Sequence, residues 1–563
     1  MYKVVIHLLI VSFLFQPLVG AAQPKTESIE SVKGIINTVN VWRDQWGVNH
    51  IYAENEDDLF FTQGYCAARD RLFQLELWRR QATGTLAEIL GPSEIKRDIS
   101  ARLFKYRGDM EKELNHYHKN GSKIINSFVQ GINAYIEEVI QHPEKLPTEF
   151  KILNTLPGKW TPEVVITRFQ GLKGNAATEL QIGKAVATAG ADVVKDLTWF
   201  HPRQPDLSLD SSFDADLFSG PILELYHAMG APIQFRNDQL TTAFHAQNKG
   251  YDSDESPEGS NNWIVSGRRT ESGFPHMVND PHRRIALPSL RYLVHLHAPG
   301  WNVTGAGEPS IPGISIGHNE YGAWGLTVYF TDAEDIYVYD LNPDQLSQYW
   351  YKGKWKNMEQ IQERIAVKGG DTVTETLNYT LHGPVTYIDT IRKKAFALRC
   401  AWLEPGGAPY LASLRMNQSK TWKQFRDACA YSNLPGENMI WADRKGNIGW
   451  QVVGIAPIRK RFSGMVPVPG DGRYEWSGYR KIKKRPHIKN PKEGYFASAN
   501  ANITPDSYKY WNSVGYLWSN PYRNDRIHEV LSKDSIRTLE SEKKLQTDYF
   551  CIPAKTLVPF LRN

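Results

Sequence analysis

The alternation of apolar and polar positions divides the chain into a helical first part and an extended second part. Over residues 34–53, Ile36, Thr38, Asn40 and Trp42 alternate with Asn37, Val39, Val41 and Arg43. The turn residues Asp44-Gln45-Trp46-Gly47 follow, and residues 48–53 resume the extended pattern, so the segment reads as a hairpin. Leu72, Leu75 and Trp78, with Phe73 and Leu77 beside them, make one helical stripe that Gly84 and Gly91 bring to an end. Ile125, Phe128, Ile132, Tyr135, Ile136 and Val139 recur with the helical period and predict a helix with one buried face. Residues 236–259 break the pattern. They carry an acidic run with Ser, Gly and Asn and few apolar anchors, as an exposed linker does. Beyond them Trp263-Ile264-Val265 and Met277-Val278 read as strands about a turn at Glu271-Ser272-Gly273, with further strands over residues 291–297 and 335–339. Helices first and strands afterwards predict a layered α+β body rather than alternating βαβ units.

Composition narrows the class. The chain has 563 residues, 41 % hydrophobic and 23 % charged, which excludes disordered, collagenous and coiled-coil proteins. A net charge of +5 is too small to point to a nucleic acid, and a mean hydropathy of -0.46 is not that of a polytopic membrane protein. Cys66, Cys400, Cys429 and Cys551 form no CxxC pair, so zinc ribbons and thioredoxin-like motifs are absent. Free buried thiols are expected, with a Cys400–Cys429 bridge as the alternative. At the N-terminus Lys3, the apolar residues 4–15 and the small residues Gly20-Ala21-Ala22 match a secretory signal over residues 1–22. The expectation is an exported protein, periplasmic or secreted, with no membrane segment after signal removal.

Four patterns carry candidate chemistry. Gly313-Ile314-Ser315-Ile316-Gly317 fits the GxSxG nucleophile elbow and would make Ser315 the nucleophile of a serine esterase. Glycines and prolines precede it and no helix start follows, so a turn is the simpler reading. His295-Leu296-His297 places two imidazoles on one strand face, a spacing that can bind a metal but more often does not. The basic residues of 479–492 read as a solvated loop. The fourth is Gly259-Ser260, between the acidic linker and a core strand. If that peptide bond breaks, Ser260 becomes an N-terminus. Its hydroxyl then lies beside an α-amine with an ordinary pKa of about 7.7–8.0, which can act as its general base.

Here the sequence resembles a known family. Gly259-Ser260-Asn261-Asn262-Trp263 with Asn279-Asp280-Pro281-His282 looks like the β-subunit start of the penicillin acylases, which are N-terminal-nucleophile (Ntn) hydrolases. Asp44 with Gly47-Val48-Asn49-His50-Ile51, Gln63-Gly64-Tyr65, Ala323-Trp324-Gly325-Leu326-Thr327, Asn438 with Ala442-Asp443, Val468-Pro469-Gly470 and Gln546-Thr547-Asp548 continue the likeness in order. The resemblance implies a four-layer αββα sandwich with two antiparallel sheets between helical layers. It implies an α-subunit-like part (23–235), a spacer (236–259) and a β-subunit-like part (260–563), the last shorter than usual as though a C-terminal portion were missing. It also implies a self-processing amidohydrolase that cuts after Gly259, matures to an α/β heterodimer and hydrolyses a small linear amide. The implied roles are Ser260 as nucleophile, His282 as the residue orienting its amine, Asn438 and the Val328 N–H as oxyanion donors, and Arg459 as a basic residue shaping the site. Arg283 would meet the acyl group. Glu179, Asp332, Asp335 and the Glu334 carbonyl would bind a structural Ca²⁺. No organic cofactor is implied; the carboxylate that supports the histidine in relatives lies in the missing part, and no residue of this sequence is identified to replace it. A truncated, inactive relative is the alternative to the enzyme.

Overall fold

The computed structural model describes residues 27–167, 174–236, 239, 259–283, 285–533 and 536–562. The expected signal segment and nearly all of the expected spacer lie outside them. Residues 27–33 carry no helix or strand and are separate from the body that begins at Gly34.

The predicted hairpin forms, with β1 (Asn40–Arg43) antiparallel to β2 (Asn49–Tyr52). Helix α1 (Glu56–Thr83) follows at once. Its start is set by Asn55, whose side chain accepts from the Asp58 N–H, and by three acidic residues in the first turn. Gly84, at φ 63°, ends it in the left-handed conformation. The second predicted helix is α2 (Gly121–Gln141), and it buries Ile125, Phe128, Ile132, Tyr135, Ile136 and Val139 as its period requires. The two helices cross at two glycines. A Cβ on Gly64 would stand 2.0 Å from the Phe128 carbonyl oxygen, and one on Gly131 would stand 1.8 Å from that of Phe61. Gly64, one of the motif residues, is therefore a packing requirement. A third helix, α3 (Ala176–Ala189), begins the part of the chain that meets the second sheet.

Besides a two-stranded ribbon of Pro457–Arg459 with Trp476–Tyr479, the described strands form three larger sheets. The strands β3 (Gly259–Val265), β4 (His276–His282), β5 (Tyr292–Ala298), β6 (Trp301–Gly307), β7 (Ile316–Asn319), β8 (Gly322–Val328) and β9 (Glu334–Asn342) come first. Later come β10 (Glu437–Asp443), β11 (Ile448–Val453), β12 (His487–Lys489) and β13 (Tyr495–Ser498). A nine-stranded sheet runs β1-β2-β5-β6-β7-β8-β10-β11-β12. It is not purely antiparallel as expected, because β2 pairs parallel with β5. The N-terminal hairpin returns to this sheet only through the whole first part, the kind of long connection that parallel neighbours need. β9 belongs to a second, eight-stranded sheet, in which the short Val468–Pro469 strand again pairs with it in parallel. The third sheet is small, in the order β13-β3-β4.

The small sheet packs on β8 and β10, and helices α4 (Tyr522–Leu531) and α5 (Leu539–Gln546) pack on its strands β13 and β4, while α1 packs on β2 and β5. The result is a mixed α/β body of several sheets. Two sequence motifs interlock at the sheet contact. A Cβ on Gly325 of β8 would stand 2.2 Å from Asn279 Oδ1 of β4. The missing side chain lets Asn279 accept from the Leu326 N–H inside the neighbouring sheet. Trp263 and Val265 of β3 sit in an apolar cluster with Ile527 of α4 and Leu545 of α5.

Gly131→Ala should lower the stability of the folded chain by about 1–3 kcal/mol or more, the cost of overpacking against a rigid carbonyl. Thermal or urea unfolding beside Ala134→Gly, a change on the same helix, measures it. A destabilisation no larger than that of the control would contradict the close crossing.

Candidate active site

Ser260 is the second residue of β3 and only 3 % exposed. Burial obliges its polar atoms to find partners, and one side chain meets two of them. Asn500 Oδ1 accepts from the Ser260 N–H at 2.7 Å, and Asn500 Nδ2 donates to Ser260 Oγ at 3.3 Å. The same Nδ2 reaches the Val328 carbonyl at 3.3 Å. Asn500 is 2 % exposed and adopts φ 65°, a left-handed conformation that asparagine tolerates better than most residues. Arg523, on α4, fixes the arrangement from the far side. Its Nη1 donates to the Ser260 carbonyl (3.0 Å) and to Asn261 Oδ1 (2.8 Å), and its Nη2 donates to Asn500 Oδ1 (3.0 Å).

Two of the expected site residues make their hydrogen bonds to groups other than Ser260. Asn438 is buried close by, but its Nδ2 donates to Thr327 Oγ1 (3.1 Å) and the Val328 carbonyl (3.3 Å), and its Oδ1 accepts from Trp450 Nε1 (2.9 Å). It belongs to a polar chain through Thr327 and Ser498 to Asn262, and the asparagine on Ser260 is Asn500. Val328 presents its carbonyl to both asparagines. Arg459 is not beside Ser260, and the cation there is Arg523. Sequence carried only a faint signal for Asn500, the Ala-Ser-Ala-Asn alternation of residues 497–500 at the end of β13, and none for Arg523.

His282 pairs with Gly259 across β3 and β4. Its Nε2 lies 3.1 Å from Asp280 Oδ2, and Asn261 Nδ2 donates to the same oxygen at 3.3 Å. Asp280, two residues back on the same face of the strand, thus sets a carboxylate against the His282 ring. Asn261 Nδ2 also stands 3.0 Å from that Nε2, and the other ring nitrogen, Nδ1, faces Gly259. That Nδ1 is 3.3 Å from where a Gly259 Cβ would be. The His282 hydrogen bond, ahead of opposing burial, holds Asp280 below the ordinary aspartate range. Arg283 folds back to donate to the His282 carbonyl at 2.9 Å. Glu437, opposite Val328 in the β8–β10 register, is 2 % exposed, and burial pushes its carboxyl up to about 8 against the pull of Arg291 and Arg283.

The residues expected to hold Ca²⁺ do converge, but around Arg459. Its Nε is 2.7 Å from Asp335 Oδ2, and its Nη2 is 3.0 Å from both Asp332 Oδ2 and the Glu334 carbonyl. Glu179 of α3 accepts from the Ile336 N–H at 3.0 Å. The Glu334 carboxylate points away from the group and accepts from the Asn175 and Ala176 N–H groups at the start of α3. Burial raises the carboxyls of Glu179, Asp332 and Asp335, Asp332 to about 8, with Arg459 opposing each rise. Arg459 thus takes Asp335 Oδ2, Asp332 Oδ2 and the Glu334 carbonyl, while Asp335 Oδ1 is buried without a hydrogen-bond partner; a metal could reach the set only if Arg459 withdrew, so it does not fit Ca²⁺ with Arg459 in place. Among the described residues no group of three or more His, Cys, Asp or Glu is disposed to hold a metal ion.

The remaining patterns are structural. Ser315 lies buried in the loop before β7, with a strand rather than a helix after it and no partner for its Oγ, so the elbow geometry is not formed. His295 is hydrogen-bonded to His50 Nδ1 (3.2 Å) and Asn302 Oδ1 (2.9 Å). Within the basic run, Arg485 is no solvated residue. It is 0 % exposed and donates to the Val453, Gly454 and Ser513 carbonyls and to Thr331 Oγ1. Cys400 and Cys429 are buried and form no disulfide with each other. No described helix is long and apolar enough to cross a membrane.

A sequence model of the penicillin amidase family matches residues 38–563. The chain is 29 % identical to penicillin G acylase of Escherichia coli over 91 % of its own length and 64 % of that protein's. It is 28 % identical to an acyl-homoserine lactone acylase of Pseudomonas aeruginosa over 93 % of its length and 62 % of the relative's. It thus spans somewhat under two thirds of these relatives. A solved penicillin G acylase from Alcaligenes faecalis, 30 % identical, overlays with a TM-score of 0.49 over 54 % of this chain and 55 % of that one.

The Asp280–His282 contact has a pH signature. Because the folded-state pKa of Asp280 is depressed, its contribution to stability is present above the unfolded value of about 3.9 and is lost as pH falls through the lower folded value. Unfolding of the wild type and Asp280→Asn should differ at neutral pH and converge in acid. Equal stability at neutral pH would remove the contact.

Proposed function

The chain belongs to the penicillin amidase family, and from that membership and the surroundings of Ser260 we propose that it is a self-processing hydrolase of linear amides. One observation carries the reading: a serine that directly follows glycine at the start of a buried strand has its hydroxyl and its main-chain nitrogen held by a single asparagine. In the precursor Ser260 Oγ attacks the Gly259 carbonyl carbon, and the C–N bond breaks as an ester bond forms to Oγ. Water then hydrolyses the ester, leaving a Gly259 carboxylate and a Ser260 α-amine. The mature amine, its lone pair oriented by Asn500 Oδ1 and by the Asp280-supported His282, takes the Oγ proton through a water as Oγ attacks the substrate amide. Asn500 Nδ2, together with the Val328 N–H, stabilises the oxyanion, and Arg523 holds Asn500 and the Ser260 carbonyl in place. The amine product leaves with a proton, and water frees the acid from the acyl-enzyme.

The relatives named as penicillin G acylase and acyl-homoserine lactone acylase support an acyl amide as substrate. Arg283, next to His282 and electrostatically coupled to Glu437, favours an acyl group bearing polar atoms over a purely aromatic one. Helices on β2 and β5 and others on β4 and β13 support the αββα arrangement. The signal-like N-terminus supports export, and the polar spacer supports an α/β heterodimer as the mature form.

Intact-mass measurement should find two chains, the second beginning at Ser260, and Ser260→Ala should remain one chain. Asn500→Ala should lower turnover of an acyl-amide substrate by about 10²–10³, the usual effect of losing one oxyanion donor, whereas Asn438→Ala should affect folding more than turnover. Efficient cleavage of Ser260→Ala in a protease-free preparation would overturn the mechanism.

A further inference from the structure

We propose that the guanidinium of Arg459 is the resident cation of the Glu179–Asp332–Asp335 junction and stands where a divalent ion would bind, so that this chain assembles without a metal. The inference rests on the packing of the junction and is independent of the chemistry at Ser260.

Three features fit a guanidinium and not a spherical ion. First, its nitrogens take up three of the oxygens that a cation would need, Asp335 Oδ2 at 2.7 Å and, at 3.0 Å, Asp332 Oδ2 as an ion pair and the Glu334 carbonyl, leaving Asp335 Oδ1 as the buried oxygen without a hydrogen-bond partner. Trp476 Nε1 also donates to Asp335 Oδ2. A metal could reach this set only if Arg459 withdrew. Second, the space is shaped for a planar group. A Cβ on Gly464 would stand 2.6 Å from Arg459 Cζ and 2.5 Å from Asp332 Oδ2, and Gly464 has φ 82°, so bare backbone covers the ion pair. The rings of Trp476 and Phe462 flank Cζ at 5.8 and 5.9 Å, which suits a delocalised and weakly hydrated cation. Third, the junction is bridged without an ion. Glu179 of α3 accepts from the Ile336 N–H of β9, while Glu334 of β9 accepts from the Asn175 and Ala176 N–H groups at the N-terminus of α3. This reciprocal pair joins the segment before Gly259 to the segment after Ser260 directly.

The test compares unfolding of the full chain in excess EDTA and in excess CaCl₂, together with the calcium content of protein purified without added metal. The expected result is an unchanged midpoint and no stoichiometric calcium. A midpoint lowered by EDTA, or one equivalent of bound calcium, would overturn the proposal. Arg459→Gln leaves buried carboxylates without their cation, so in EDTA it should lose its cooperative transition or unfold at a much lower temperature. Addition of Ca²⁺ should restore part of that loss, because the oxygens are then open to a metal. An Arg459→Gln protein as stable as the wild type in EDTA would equally overturn the assignment, since the guanidinium would then carry no load at the junction.

Discussion

The candidate site is governed by one constraint: β3 is a polar strand buried between a sheet and helices. Ser260 and Asn262 lie almost wholly out of water, and a buried polar group left unpaired costs about 1–3 kcal/mol. Every neighbour is selected by that demand. Asn500 answers both the nitrogen and the hydroxyl of Ser260, and Arg523 answers its carbonyl. Asn262 Oδ1 accepts from Ser498, which runs on through Thr327 to Asn438 and Trp450, while Asn262 Nδ2 has no hydrogen-bond partner. A strand of Val and Ile would pack as well and need none of this. The network ties β3 to β8, β10, β13 and α4, so the groups around the hydroxyl are held by elements far apart in the sequence.

The same rule explains the two buried arginines. Arg485 could not be buried in a loop of solvated lysines unless carbonyls were waiting for it, and four acceptors surround its guanidinium. Arg459 is the counterpart for charge, since Asp335 and Glu179 are fully buried and a cation must accompany them. The two arginines differ in partners: Arg485 satisfies main-chain groups, whereas Arg459 joins carboxylates that a metal would otherwise serve.

Glycines do the complementary work of close approach. Gly325 admits Asn279 into the neighbouring sheet, and Gly64 and Gly131 let two helices touch backbone to backbone. Gly64 and Gly325 are motif positions whose meaning is invisible until the second element is present. Once it is, the substitution that each forbids follows from a single distance.

By itself the sequence determined what depends on local pattern. It set the hairpin at residues 40–52, the buried face of α2, the strands at 263–265 and 335–339, the turn character of Ser315, and the pairing of Gly259-Ser260 with the motif at 279–282. Those features rest on periods of 2 and 3.6 residues and on contiguous motifs. Asp280 was present in a quoted motif, yet its role needed the strand geometry that turns residues 280 and 282 to one face. What tertiary structure decided was which distant side chain meets which. Asn500 rather than Asn438 reaches Ser260, because the end of β13 lies beside β3 while Asn438 faces Thr327 across β8. Arg459 meets carboxylates and Arg523 meets the serine for the same reason. Pairing across hundreds of residues is fixed by sheet order and packing, and neither leaves a periodic trace in the chain.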